Sequence, residues 1–128
     1  MNPTLQAWTL LIARLLMASL FAVAGLGKLA HSDATAAYMQ ATGVPGVLLW
    51  PTIAFELGAA LVLALGCFTR YAGWALAGFC VATALIFHRQ IGDPIQQLML
   101  LKNLVMAGGF LALSVAGSGA LSVDGRRA

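Results

Sequence analysis

The sequence predicts an all-α fold, an integral membrane four-helix bundle with a short interfacial helix between spans 1 and 2. Three observations lead there. Of the 128 residues, 61% are hydrophobic and only 9% charged, against roughly 45–50% and about 25% in soluble domains. The apolar residues gather into four stretches, about 5–29, 46–65, 71–88 and 95–115, each near the roughly 20 residues a helix needs to cross the bilayer hydrocarbon. Finally, Glu56 stands in the middle of the otherwise uncharged run Val47–Leu65. A carboxylate at that depth persists where it faces the protein interior and has partners. Arg14, Lys28, His88, Lys102 and Asn103, each in or at the edge of another apolar run, are the candidate partners. The whole chain is expected to form one membrane domain.

In the first span, Arg14, Ala18, Phe21, Gly25 and Lys28 recur at helical spacing and share one face. Ala18 and Gly25 allow a neighbouring helix close to that face, and Lys28 can snorkel to the far surface. Met1–Thr9 has no basic side chain and Arg14 interrupts the apolar run, so this segment reads as a retained span, not a cleaved signal peptide. His31–Thr42 is too short and polar to cross. Ser32 or Asp33 can cap a short helix there, Gly43 and Pro45 end it, and Tyr38 suits the headgroup level.

The second span places Thr52, Ala59 and Ala60 around Glu56, with Pro51 in its first turn, where a missing N–H matters little. A turn over Gly66–Arg70 leads to the third span. There Gly73, Ala77, Cys80, Ala84 and His88 form a face of small residues ending in a histidine. Asp93-Pro94 is a plausible opening for the fourth span, which carries Gln96, Met99, Lys102, Asn103, Met106 and Gly109 along one side. The tail, 117–128, is polar and glycine-rich and is expected to be mobile.

Four spans put both termini on one side, with Arg70, Arg126 and Arg127. The positive-inside rule then favours cytoplasmic termini. In that orientation Lys28, His88, Lys102 and Asn103 lie in the outer half, Glu56 near the middle and Arg14 in the inner half. They would form a polar track that opens outward.

Several function classes fall away. The net charge of +3 comes with no basic stripe, so nucleic-acid binding is a poor reading. Cys67 and Cys80 are thirteen residues apart and read as packing residues. His31 and His88 lack metal-ligand spacing, and Met99 and Met106 read as packing. Ala24-Gly25-Leu26-Gly27-Lys28-Leu29 lies within a membrane helix, without the strand that precedes a phosphate loop. No catalytic residue and no metal ligand is assigned.

Arg14, Lys28 and Lys102 against Glu56 leave a surplus of positive charge. It is relieved if Lys28 reaches water, if Lys102 loses its proton, or if an anionic group occupies the site. The last option predicts a pocket built from Arg14, Glu56, Lys102 and Asn103. Arg14 would pair with Glu56, and Lys28 and His88 would stand at the mouth. An acidic headgroup, a sulfur oxyanion or a quinone carbonyl would accept from Lys102 or Asn103. The plainer alternative is that the cluster only holds helices together, at an average of about 0.6 kcal/mol per polar pair. His88 by itself reads as an interfacial histidine.

Arg14-Leu15-Leu16, Phe21 through Leu29, Thr42-Gly43-Val44-Pro45-Gly46, Glu56-Leu57-Gly58-Ala59-Ala60, Leu65-Gly66 before Thr69-Arg70, His88 and Leu101-Lys102-Asn103-Leu104 follow one another in an order that resembles the DoxX family. The likeness implies a four-helix protein of the bacterial inner membrane. The family includes proteins similar to the small subunits of a thiosulfate:quinone oxidoreductase and members linked to membrane redox or thiol-stress complexes. It is distantly similar to cargo receptors of the eukaryotic secretory pathway. The expected role is therefore a ligand-binding or anchor subunit that holds a quinone or small anion for a redox partner protein, with the cofactor carrying the electron chemistry. A scaffold without catalysis is the first rival. A small proton-coupled transporter with Glu56 as its proton site, possible as a homo-oligomer, is the second, although four spans without a visible repeat are few for alternating access.

Overall fold

Helix starts and stops set the architecture. Asn2 Oδ1 accepts the Thr4 N–H at 2.8 Å and Pro3 fills the first helical position. Asp93 Oδ1 accepts the Ile95 N–H at 3.0 Å, with Pro94 following. Proline suits that position because its absent N–H would have no helical partner anyway. At the other ends, Gly66 and Gly117 take φ of 72° and 81°, a range that glycine enters without a Cβ penalty.

A computed structural model describes residues 1–127, and every regular element among them is helical. The helices are α1 (Pro3–Ala30), α2 (Ser32–Ala41), α3 (Leu49–Leu65) with the 3-10 turn Gly46–Leu48 before it, α4 (Thr69–Phe87), α5 (Pro94–Ala116) and α6 (Val123–Arg127). Four of these segments, α1, α3 with its leading turn, α4 and α5, are long and apolar enough to cross a membrane. The all-α reading with four spans and a short helix between the first two therefore holds.

The chain forms two compact units, Met1–Cys67 with the residues from Ser118 onward, and Phe68–Gly117. In the first, α1 packs along α3. Ala7, Arg14, Ala18, Phe21 and Gly25 of α1 are buried, as are Leu49, Ile53, Glu56, Ala60 and Leu63 of α3. Members of each set stand three, four or seven residues apart, one stripe of a helix. The helices approach closely at Gly25, where an added Cβ would lie 2.7 Å from Leu57 Cδ2. On α2, Met39 is buried and Tyr38 exposed.

In the second unit α4 packs along α5. Gly73, Leu76, Ala77, Cys80 and Ala84 of α4 are buried, with Ala107, Phe110, Leu113 and Ser114 of α5. A Cβ on Gly73 would come within 2.7 Å of the Phe110 carbonyl oxygen.

The polar tail makes defined contacts. Ser118 and Ser122 are buried, and Ser122 Oγ accepts the Gly125 N–H at 2.9 Å. Ser122 thereby caps the short α6. Arg14 binds two carbonyls of this segment. Ala128 falls outside the described residues.

Gly73→Ala is expected to lower the melting temperature in detergent, by the equivalent of about 1–3 kcal/mol, since backbone cannot yield to the new methyl. Gly78→Ala, on the same helix with open space around it, is expected to cost nothing. Equal losses in the two variants would contradict the packing described.

Candidate functional site

Arg14 is fully buried, and all three of its guanidinium nitrogens donate to backbone carbonyls. Nη1 donates to Leu63 O at 2.9 Å and Ala64 O at 3.0 Å. Nε donates to Ser118 O at 3.1 Å, and Nη2 to Leu121 O at 2.5 Å. Leu63 and Ala64 belong to the last turn of α3, where carbonyls lack helical donors and the helix dipole is negative. The tail closes the same junction, with the Asp124 N–H donating to Gly66 O at 3.0 Å. The Asp124 carboxylate acts electrostatically on Arg14. Gly66 leaves room for all of this, since a Cβ there would lie 2.6 Å from Arg14 Nη1 and 2.5 Å from Ser122 Cβ.

The expected Arg14–Glu56 pair does not form. Glu56 is seven residues before Leu63, about 10 Å along α3, and its partner is Lys28. Lys28 Nζ donates to Glu56 Oε1 at 2.9 Å and to Oε2 at 3.0 Å. The carboxylate side chain is 4% exposed and the lysine side chain 29%. Gly25, one turn before Lys28, is what lets α3 approach this part of α1.

The other three predicted residues belong to the second unit. Asn103 Nδ2 donates to Thr83 Oγ1 at 3.1 Å, joining α5 to α4. His88 Nδ1 and Gln96 Oε1 are 2.9 Å apart. Lys102 is exposed, and its charge bears on the Cys80 thiol. Sequence reasoning missed Arg70, whose Nη1 donates to Ser114 O at 2.9 Å and Val115 O at 2.6 Å. Arg70 thus does for the end of α5 what Arg14 does for α3. It also missed Ser118, Ser122 and Asp124. The available signal was Gly66 and Gly117 after the second and fourth apolar runs, each marking a helix end whose carbonyls need donors.

Chemically, these groups split into two kinds. Arg14, Arg70 and the Asn103–Thr83 pair hold helices and their ends. Lys28–Glu56 is a sealed carboxylate with a half-buried ammonium. Among the described residues, no three His, Cys, Asp or Glu side chains gather as a metal site would require.

Four apolar helices with ionisable groups sealed between them define an integral membrane protein. Residues 9–89 match the family model described as DoxX, and the chain belongs to the DoxX family. It is similar to the inner membrane protein YqjF of Escherichia coli (strain K12), 43% identical over 114 residues that cover 89% of this chain and 88% of that protein. The inner membrane protein YphA of the same organism is 36% identical over 124 residues, 91% of this chain and 89% of that one. No solved structure matches the chain. With these relatives and four spanning helices, it is a bacterial inner membrane protein. Arg14, Lys28, Glu56 and His88 lie within the family match, whereas Lys102 and Asn103 lie beyond it.

Arg14→Met strands four carbonyls and is expected to cost at least about 3 kcal/mol, each unsatisfied buried group being worth roughly 1–3. In double-mutant cycles read by reversible unfolding in mixed micelles, Arg14→Met and Glu56→Gln should add to within about 0.5 kcal/mol. Lys28→Met and Glu56→Gln should show coupling above that level. Coupling between Arg14 and Glu56 instead would restore the pairing that the geometry lacks.

Proposed function

We propose that the chain is an anchor subunit of a membrane redox assembly, holding a partner protein at the bilayer without catalysing a reaction alone. The observation that carries this reading is that most of its polar groups within the spans are used inside each helix pair. Arg14 is bonded to four backbone carbonyls, both oxygens of Glu56 to Lys28, and Asn103 Nδ2 to Thr83. Groups used in this way fix each helix pair and make its outer faces a firm surface for docking. The cytoplasm is the proposed side for both termini, from the arginines that follow the second span and end the tail.

One observation favours a quinone- or anion-binding version of the role. Lys28 has three N–H donors, two of which meet Glu56, and its side chain keeps 29% exposure. The remaining donor could serve a quinone carbonyl or an oxyanion.

The test is mild solubilisation of native membranes containing the tagged chain, followed by native gel and mass analysis. A second polypeptide in fixed stoichiometry is expected. Migration of the chain alone, or turnover of quinone by the isolated chain, would overturn the anchor reading. For the ligand version, Lys28→Met should weaken binding of a short-chain quinone about tenfold, the equivalent of about 1.4 kcal/mol. Unchanged binding removes it.

A further inference from the structure

The charges inside the spans leave one cation over. Arg14 is matched by carbonyls and Asp124, Arg70 by the carbonyls of Ser114 and Val115, and Lys28 by both oxygens of Glu56. Lys102 is exposed, and among the described residues it has no hydrogen bond or ion pair. We propose that Lys102 holds an anionic phospholipid, its ammonium taking the headgroup phosphate and the apolar face of α5 around it taking an acyl chain. This site is separate from the Lys28–Glu56 pair and does not depend on the anchor reading.

Depth supports the assignment. Lys102 follows Pro94 by eight residues, about 12 Å along the helix axis. Its side chain leans toward the N-terminus of α5, and a lysine stem carries the ammonium several ångströms further that way. The ammonium therefore rises toward the interface where phosphates lie. An unpaired lysine within a span is a standing demand for such a partner. Ile95, Leu98 and Val105 share its face at seven and four residues before and three after, and are 66%, 64% and 75% exposed. A cation ringed by outward apolar side chains matches one molecule that is anionic at its head and apolar below.

A carboxylate from a second copy fits less well. Glu56 is sealed by Lys28, and Asp33, Asp93 and Asp124 lie outside the spans. A phosphodiester also takes charge-assisted hydrogen bonds from an ammonium.

The experiment reconstitutes the full chain in nanodiscs of phosphatidylcholine with a minority of phosphatidylglycerol, then releases it from the nanodiscs in the gas phase for native mass spectrometry. The wild type and Lys102→Arg should retain phosphatidylglycerol in preference to phosphatidylcholine. Lys102→Met and Lys102→Gln should lose that preference by about fivefold, what one cation is worth at an anionic membrane surface. Melting temperatures should stay level, since the residue is exposed, and Arg89→Gln should retain the lipid. Equal retention in the wild type and both neutral variants would overturn the proposal. So would a phosphate adduct formed in inorganic phosphate without lipid, or a dimer or bound polypeptide lost with Lys102 in place of lipid.

Discussion

A helix that ends in an apolar environment leaves its last carbonyls without donors, and hydrocarbon offers no water to supply them. The end of α3 is solved by a side chain from the helix packed against it. Arg14 brings two donor contacts to Leu63 and Ala64 and two more to the tail. Solvating a helix end and pairing two helices thereby become one interaction. Arg70 repeats the device in the second unit, where the end of α5 takes the guanidinium. The Arg14 position calls for arginine specifically, because three nitrogens of a planar fork reach acceptors that an ammonium on a flexible stem would not span together.

Once the guanidinium is committed to carbonyls, the carboxylate in the middle of α3 must find another cation. Gly25 of α1 lies against Glu56 and Leu57, while Arg14 meets Leu63 and Ala64, so the two helices run antiparallel. Side chains lean toward the N-terminus of their own helix. In an antiparallel pair Lys28 and Glu56 therefore lean toward each other, and the absence of a side chain at Gly25 brings the backbones near enough for contact. The ion pair follows from the geometry that the arginine and glycine establish.

Much of this was legible in the sequence. Four apolar stretches gave the helices, and the spacing of Arg14, Ala18, Phe21 and Gly25 named the buried face of α1. The presence of Glu56 announced that some cation must meet it. Which cation could not be read from spacing, because Arg14 and Lys28 share a face and differ only in what lies opposite. Backbone carbonyls have no residue signature, so a charge tally that counts side chains alone overlooks them as partners. The contacts of the tail are hidden from the sequence for the same reason. Its low apolar content argues for mobility, yet what binds it is the Ser118 and Leu121 main chain, and any residue would supply those oxygens. Arg70 was visible only as a topology charge, although Gly117 after the fourth span pointed to carbonyls in need of a donor.

Hydrogen–deuterium exchange of the tail tests the arginine-centred account most directly. The amides of Asp124, Gly125 and Arg126 are bonded to Gly66 O, Ser122 Oγ and Ser122 O, and should be protected in the native protein. Arg14→Met should release that protection while Glu56→Gln leaves it in place. Exchange of these three amides at free-peptide rates in the unaltered chain, or protection that survives loss of the guanidinium, would contradict the account.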